Sequence, residues 1–244
     1  MAIAMTTTLG VRCMSTEAAL LKLQSWFSPS FPVGGYTYSH GLEYGVECGL
    51  IHHRESLQTW LEGLLQWGAG HGEGVLFHGA YGAAVRQDWA ALHEVTVWAQ
   101  ALRPTAELAL ESRGQGRAFL VAVQQGWPHP WVQRWGDGLA EHAPYGVVTG
   151  LACAAHGVPE AMGLSALLHG MVAGWISAAV RLIPLGQQAG VLVQSALEGE
   201  IQTLVRALLS QPASAFQAEL GGCAWMAEWC SLKHETQYTR LFRS

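Results

Sequence analysis

Apolar residues recur along this chain with the period of an α-helix, and this period restricts the fold more than any other feature of the sequence. Leu20, Leu23 and Phe27 fall on one face of a first helix. Similar patterns predict further helices near residues 57–65, 75–100, 104–125, 144–156, 160–182, 187–210 and 214–232. Runs of alternating β-branched residues with hairpin turn chemistry are scarce. The sequence therefore predicts an all-α protein.

We interpret residues 15–231 as a single compact, multi-helix, bundle-like domain, because 244 residues are ample for one buried core. The Trp- and Pro-rich stretch 126–138 is interpreted as an ordered crossover between two helical halves that need each other for burial. Residues 1–14 lack the basic start and continuous apolar run of a signal peptide, so we predict a disordered leader. Residues 232–244 are predicted to form a flexible C-terminal tail.

The composition limits the function and the compartment. Only 13% of the residues are charged, against about 25% in an average soluble domain, which indicates a hidden or partner-covered surface. The formal net charge of -5 gives no basic footprint and argues against a nucleic-acid ligand. The five cysteines are odd in number and contain no CxxC pair, as in proteins of a reducing compartment. We therefore predict a cytoplasmic protein.

One stretch raises the question of a membrane. Residues 161–180 contain no Asp, Glu, Lys or Arg and are long enough to span a bilayer. A stripe of small residues recurs every four positions along it: Ala166, Gly170, Gly174 and Ala178. Such a stripe lets another helix approach closely, inside a protein or between two copies of it. Because no aromatic belt or flanking Lys/Arg cluster supports insertion, we predict a packed central helix, with a membrane-embedded protein as the alternative.

Signatures of catalysis and of metal binding are missing from the sequence. The eleven histidines form no HExxH, HxH or Cys/His cluster. The segment GAGHGEG (68–74) lacks both the preceding strand and the Gly-Lys-Ser/Thr ending of a P-loop, and we interpret it as a tight junction between helices. There is no GxSxG, and the carboxylates are scattered rather than paired. The sequence predicts no catalytic residue and no metal ligand set, and hence no enzyme.

Two segments are unusual in composition. In residues 28–45, prolines and a Gly-Gly pair predict a defined loop that delivers Tyr36, Tyr38 and Ser39 to the start of a new helix, with Glu43 one turn later. In residues 232–244, Arg240, Arg243 and Tyr238 belong to a mixture of basic and aromatic residues that is typical of interface hot spots. The residues alone leave a structural role and a binding role equally open for both segments.

These segments, with a third, resemble the urease accessory protein UreF family. SPSFPVGGYTYSHGLE (28–43) is similar to the N-terminal signature of that family, SAAVRLIPLGQQAG (177–190) to its central one, and KHETQYTRLFRS (233–244) to its C-terminal ending. The three occur in the family's order, and the similarity runs from about residue 17 to the end. ESRGQGRAFL (111–120) departs from the family's pattern, and we expect its two glycines to loosen that helix.

The resemblance implies an all-α, non-catalytic scaffold, usually a homodimer, that helps to insert nickel into urease. It implies a UreD-type protein (UreH in some organisms), the GTPase UreG and apo-urease as partners. Nickel and GTP would be handled by the assembly, with no cofactor bound by this chain. A His-rich metallochaperone that binds nickel directly is the alternative.

The resemblance also suggests which residues bind partners. The candidates are Tyr36, Tyr38, Glu43, Arg181, Gln187, His234, Tyr238, Arg240 and Arg243. Arg181 precedes Pro184 near the end of a helix, where the helix dipole favours a cation, so a purely structural role is equally open for it. Ala166, Gly170, Gly174 and Ala178 are the candidates for helix packing or dimer formation.

Overall fold

The computed structural model describes residues 14–139 and 142–244, and only the backbone of residues 137–139. The helices are α1 (Thr16–Trp26), α2 (Leu42–Glu47), α3 (Arg54–Trp67), α4 (Ala69–Val85), α5 (Trp89–Ala101), α6 (Ala106–Gly126), α7 (Pro130–Leu139), α8 (Tyr145–Ala155), α9 (Glu160–Leu182), α10 (Gly186–Leu209), α11 (Phe216–Glu219) and α12 (Trp225–His234), with short 3-10 helices at Gly35–Thr37 and Ala213–Ala215. The described residues contain no strand. The prediction of an all-α, multi-helix domain is confirmed.

Helix α4 lies at the centre and packs against α3, α5, α8, α9 and α10. Its contact with α8 is close enough to require glycine. A Cβ atom on Gly150 would lie 2.5 Å from the main-chain oxygen of Phe77. The two helices therefore meet backbone to backbone, and the aromatic and aliphatic side chains around them form the core.

Helix α6 corrects the expectation about residues 111–120. The two glycines were expected to loosen this helix, but α6 runs without a break from Ala106 to Gly126, and the Thr105 side chain caps its start. A Cβ atom on Gly116 would lie 1.8 Å from the main-chain oxygen of Ala143. The glycine thus lets the segment before α8 press against α6, and this packing outweighs the low helix propensity of glycine.

Helix α9 carries the stripe of small residues. Ala178 is buried, Ala166 and Gly170 are half-buried, and Gly174 is exposed. Gly170 lies against Phe27, the residue after α1. Among the described residues, α9 is the one helix with the length and apolar composition to cross a membrane, and half of its most apolar stretch is buried inside the domain. Such burial is typical of a core helix that also offers one face to the outside.

The ends of the chain differ in what the structure describes. The predicted leader, residues 1–14, lies outside the described residues except for Met14, whose N–H donates to the Gly157 carbonyl oxygen at 3.0 Å. Segment 232–244, expected to be a flexible tail, begins in the last turn of α12 and is held against the domain. Phe242 and Ser244 are buried. The contacts that hold the segment belong to the candidate functional site.

Candidate functional site

Three stretches that are far apart in sequence meet on one side of the domain. The Arg181 guanidinium, near the end of α9, lies 3.7 Å from the centre of the Tyr36 ring and 4.4 Å from that of Phe242. It also donates to the Tyr36 carbonyl oxygen at 2.9 Å. The Arg243 N–H donates to the Thr37 carbonyl oxygen at 2.8 Å. We call this arrangement of residues 34–43, Arg181 and residues 234–244 the three-segment cluster.

The loop in the cluster depends on left-handed backbone conformations. Gly34 has a φ of 72°, His40 of 57° and Gly41 of 77°. A Cβ atom on Gly41 would lie 2.9 Å from the main-chain nitrogen of Ser231 in α12. Gly41 therefore serves both the turn into α2 and the close packing of α2 on α12.

A buried histidine joins three helices beneath the cluster. The ring of His234, at the end of α12, is fully buried. Its Nδ1 lies 2.6 Å from Glu107 Oε2 on α6, and its Nε2 lies 3.0 Å from Glu43 Oε2 on α2. Arg240 approaches the other Glu107 oxygen at 2.7 Å. The two carboxylates thus have polar partners in a histidine and an arginine from the end of the chain, as buried polar groups require.

Glu43 also holds the backbone of the C-terminal segment. Its Oε1 accepts a hydrogen bond from the Leu241 N–H at 2.7 Å, and its Oε2 accepts one from the Phe242 N–H at 3.0 Å. Bonds from two consecutive N–H groups to one carboxylate fix both the direction and the register of the segment. These two hydrogen bonds explain why the segment that was predicted to be a flexible tail is held against the domain.

A second carboxylate holds the last residue of the sequence. The Ser244 hydroxyl donates to Glu111 Oε2 at 2.6 Å, and the Ser39 N–H donates to the Ser244 main-chain oxygen at 2.8 Å. His40 lies 3.3 Å from Glu111. Burial raises the pKa of Glu111, but the charge and hydrogen bond of His40, the Ser244 hydroxyl and the charge of Arg103 outweigh it and hold the pKa below its usual value. Glu111 is therefore a buried anion that the surrounding donors stabilise.

A cavity of about 390 Å³ lies between the loop, α6 and α9. Tyr36 and Tyr38 line it from the loop, Glu111 from α6, and Gly174 from α9. Burial raises the pKa of Tyr38 above its usual value. The charge of Arg243 lowers the pKa by less than burial raises it, and the charge of Glu111 adds a still smaller increase. At neutral pH the Tyr38 hydroxyl is thus a neutral group at the edge of the cavity.

Metal-binding groupings are not found in the described part of the chain. Among residues 14–139 and 142–244, no three His, Cys, Asp or Glu side chains are placed so that they could hold a metal ion. Three histidines contact carboxylates: the half-buried His40 contacts Glu111, and the buried His78 and His234 contact Glu160 and the pair Glu43 and Glu107, respectively. These histidines have structural partners in place.

Comparison with known proteins decides the family. The UreF family model matches residues 51–198, more than half of the chain. The chain belongs to the UreF family. A urease accessory protein UreF of Rhodopseudomonas palustris (strain BisB5) is 43% identical over 228 residues, which cover 93% of this chain and 92% of that protein. The urease accessory protein UreF of Azorhizobium caulinodans is 44% identical over 92% of this chain and 95% of its own length. That of Xanthobacter autotrophicus is 46% identical over 93% of this chain and 91% of its own length. Membership supports a role in urease maturation.

The residues predicted from the UreF signatures fall into two groups. Tyr38, Glu43 and His234 are buried. The interactions of Glu43 and His234 are made within the chain, so their role in this conformation is to position the C-terminal segment. The exposed residues are Tyr36, Gln187, Tyr238, Arg240 and Arg243, while Arg181 is half-buried in its stack. The exposed group forms the outside of the cluster, except for Gln187, which lies in the first turn of α10.

Sequence reasoning missed two parts of this UreF site. The first is the carboxylate pair Glu107 and Glu111, whose spacing of four places both on one face of α6. The second is an apolar face of α12. Trp225, Trp229 and Leu232 follow one another at spacings of four and three and are exposed. The helical period could have revealed that these side chains share a face, but only the packing of α12 shows that this face points outward.

Proposed function

We propose that this chain is a non-catalytic scaffold for urease maturation. In this proposal it binds a UreD/UreH-type accessory protein, recruits the UreG GTPase and promotes the incorporation of nickel into apo-urease. Nickel and GTP are handled by the assembly, which works in the cytoplasm with this chain as a homodimer. Family membership supports the proposal, because relatives 42–46% identical over more than nine-tenths of this chain are named urease accessory protein UreF.

The three-segment cluster is the observation that carries the binding role. Its inside is held by hydrogen bonds within the chain, so the loop and the C-terminal segment form a defined surface before any partner arrives. On its outside, Tyr238 is fully exposed and Leu241 is 74% exposed. Exposed aromatic and apolar side chains on a rigid support are what protein interfaces use as anchors.

The apolar face of α12 extends this surface. Trp225 and Trp229 share that face with Leu232, directly before the C-terminal segment. Contiguous exposed apolar side chains of this kind mark interaction sites on soluble proteins. We therefore place the UreD/UreH-type partner on α12 and the C-terminal segment, with Arg240 and Arg243 as polar contacts at the edge.

The homodimer is proposed on the exposed part of the α9 stripe. A Cβ atom on Gly174 would meet no other atom of the chain within 4 Å. The small side chains there leave room for a helix from a second copy at close distance. Gly174 lines the same cavity as Tyr36 and Tyr38, so in this proposal the dimer contact adjoins the three-segment cluster.

Arg240→Ala tests the proposed function in cells that produce urease and its accessory proteins. The Arg240 side chain is 41% exposed, and its partner Glu107 keeps the contact with His234 when Arg240 is removed, so the loss costs about 1 kcal/mol of stability. We expect lower urease activity and less nickel in purified urease, with an unchanged amount and melting temperature of the variant. Arg206→Ala, at an exposed arginine of α10, is the matched control. If urease from cells with Arg240→Ala contains its full amount of nickel, Arg240 is not a contact residue of the proposed partner-binding surface.

A further inference from the structure

The cavity beside the loop has a buried hydrogen-bond donor in its wall that lacks an acceptor. Arg103, which follows α5, lines this cavity of about 390 Å³ and also a smaller one of about 100 Å³. Its Nε donates to the Ala99 carbonyl oxygen at 3.0 Å, and its Nη1 lies 2.7 Å from Glu73 Oε1. Its Nη2 is buried, and no acceptor among the described residues contacts it. Because a buried donor without an acceptor is destabilising, an acceptor atom of a ligand in the cavity would stabilise this group.

The acidic groups in the wall of the cavity already have hydrogen-bond partners. Besides the arginine, Glu73 accepts from the Ser112 hydroxyl at 3.2 Å and from the Gly146 N–H at 2.7 Å. Glu111 accepts from the Ser244 hydroxyl, as described above. An anionic ligand would add a third negative charge beside these two carboxylates, and a cationic ligand would compete with the donors that they already bind. The charges of the wall therefore favour a neutral ligand with an acceptor such as a carbonyl oxygen.

Much of the remaining wall is apolar and partly aromatic. Phe27 and Phe31 line the cavity from the segment after α1, Val33 lines it from the residues before the loop, and Met171 and Trp175 line it from α9. Cavities of this volume, with apolar walls and a few polar groups, are typical binding sites for small organic molecules. Aromatic rings pack favourably on aromatic side chains, so the wall suits a ligand whose body is a flat ring system.

We propose that this cavity binds a neutral, apolar small molecule that carries a carbonyl group, such as an aromatic amide. The carbonyl oxygen of the ligand accepts a hydrogen bond from Arg103 Nη2, and its ring lies among the apolar side chains of α9 and of the segment after α1. Binding is reversible and involves no covalent step. The site goes beyond the scaffold role, because it gives this chain a ligand of its own.

The ligand is coupled to the three-segment cluster through residues that belong to both the cavity and the cluster. Tyr36 lines the cavity, and its ring stacks on the Arg181 guanidinium, which also stacks on Phe242. Glu111 lines the cavity and holds the Ser244 hydroxyl. A ligand that contacts this wall therefore favours the docked form of the C-terminal segment, and docking favours binding of the ligand to the same extent.

Three naphthalene probes of similar shape and different charge test the chemistry of the site. 2-Naphthamide is neutral and carries a carbonyl oxygen, 2-naphthoate is an anion, and 2-naphthylmethylamine is a cation. Ligand-observed NMR titration of the full-length protein measures their dissociation constants. We expect a dissociation constant of about 1 mM or below for 2-naphthamide, and at least about tenfold weaker binding of the two charged probes. No binding of 2-naphthamide, or equal affinity for all three probes, would overturn the proposal.

Substitutions in the wall locate the bound probe. Val33→Trp fills part of the cavity and should abolish binding of 2-naphthamide, whereas Val191→Trp, at an exposed position of α10, should leave the affinity unchanged. Arg103→Lys keeps a cation beside Glu73 but removes Nη2, so we expect about tenfold weaker binding of 2-naphthamide. Unchanged affinity in Arg103→Lys would contradict the role of Nη2. If that variant does not fold, Val33→Trp decides, and unchanged affinity there would place the probe elsewhere and overturn the proposal.

Trypsin cleavage after Arg240 measures the coupling to the C-terminal segment. At a 2-naphthamide concentration equal to its dissociation constant, the undocked population and with it the cleavage rate should fall about twofold, because only the docked form binds the probe. The same concentration should leave the cleavage of Val33→Trp unchanged, which excludes inhibition of the protease itself. Equal cleavage rates of the unchanged protein with and without the probe would contradict the coupling.

Discussion

His234 Nε2 lies 3.0 Å from Oε2 of Glu43, a residue 191 positions earlier in the sequence. The other ring nitrogen lies 2.6 Å from Glu107. One buried side chain thus links α2, α6 and α12 and sets the place from which the C-terminal segment continues. Removal of the His234 side chain should therefore lower the stability of the fold.

His234→Gln should lower the free energy of unfolding by about 3 kcal/mol, because it removes the ring that both buried carboxylates contact. Urea unfolding followed by circular dichroism measures the change. Lys233→Gln, at the exposed neighbour on the same helix, is the control and should stay within about 0.5 kcal/mol of the unchanged protein. A loss below about 1 kcal/mol for His234→Gln would show that the histidine is not a structural link.

Glu43→Gln should release the C-terminal segment. The Glu43 carboxylate contacts His234 and accepts hydrogen bonds from the N–H groups of Leu241 and Phe242. A glutamine amide has only one acceptor oxygen and cannot make all three interactions. Trypsin should then cleave after Arg240 at least about tenfold faster, since each 1.4 kcal/mol lost from docking raises the open population tenfold. Glu62→Gln on α3, where the carboxylate accepts from Gln58, is the matched control. Equal cleavage rates in both variants would contradict the role of Glu43.

Much of the helical architecture could be predicted from the sequence because its signals are local. The pattern of Leu20, Leu23 and Phe27 indicated α1, and the Ser15 side chain caps this helix by accepting a hydrogen bond from the Ala18 N–H. The single helix predicted for 75–100 is two helices, α4 and α5. The break lies at Gln87, which has a φ of 54°, and no glycine or proline marks this position in the sequence. The Asp88 that follows is a typical N-cap residue, and its side chain caps α5.

Other differences arise where packing overrides a local pattern. The tight junction predicted at GAGHGEG (68–74) is the single residue Gly68 between α3 and α4, and the rest of the segment belongs to α4, where Gly70 and Gly74 lie against neighbouring side chains. The stretch 126–138, interpreted as a crossover, contains α7, which Pro130 begins at a position that tolerates proline. The helix predicted for 214–232 is interrupted before α12 near Gly221, with a φ of 124°.

The sequence predicted which segments form the candidate site, but not how their side chains are arranged. The signatures identified the loop, Arg181 and the C-terminal segment. They could not show that His234 and Glu43 are buried, since that depends on Glu107, a residue from another helix and far away in sequence. Burial of a charged group is decided by partners that the local sequence does not contain.

Gly174→Leu tests the proposed dimer surface on α9. Within one chain the added side chain has space, because a Cβ atom there meets nothing within 4 Å. A shift from dimer to monomer in light scattering, without loss of melting temperature, is therefore expected if the stripe contacts a second copy. Gly199→Leu on α10 is the control, since this exposed helical glycine also has open space. An unchanged dimer of Gly174→Leu would exclude the stripe as the dimer contact.

The pH dependence of stability should depend in part on His156, which follows α8. Burial, with the charges of His129 and Lys22, lowers the pKa of His156 from 6.5 to about 4. Between these values the unfolded chain binds a proton that the folded chain does not, so this contribution is complete above about pH 6.5 and is lost as the pH falls towards 4. His129 has a pKa lowered by burial and acts in the same direction, whereas the raised pKa of His78 acts oppositely.

His156→Leu isolates this contribution. The loss of unfolding free energy between pH 7 and pH 5 should be smaller in the variant than in the unchanged protein. His93→Leu, at an exposed histidine of α5, should retain the full difference. Urea unfolding at the two pH values measures it, and an identical loss in His156→Leu would mean that His156 does not take up the proton on unfolding.

Binding of a UreD/UreH-type protein tests the central claim most directly. Size exclusion with light scattering compares the unchanged chain with Tyr238→Ala/Leu241→Ala, which removes exposed side chains of the C-terminal segment, and with Val97→Ala/Leu110→Ala, which removes exposed side chains of α5 and α6. We predict a complex with the unchanged chain and with the α5/α6 variant, and its loss in the C-terminal variant at equal stability. A complex of the same mass with all three proteins, or with none, would contradict the account.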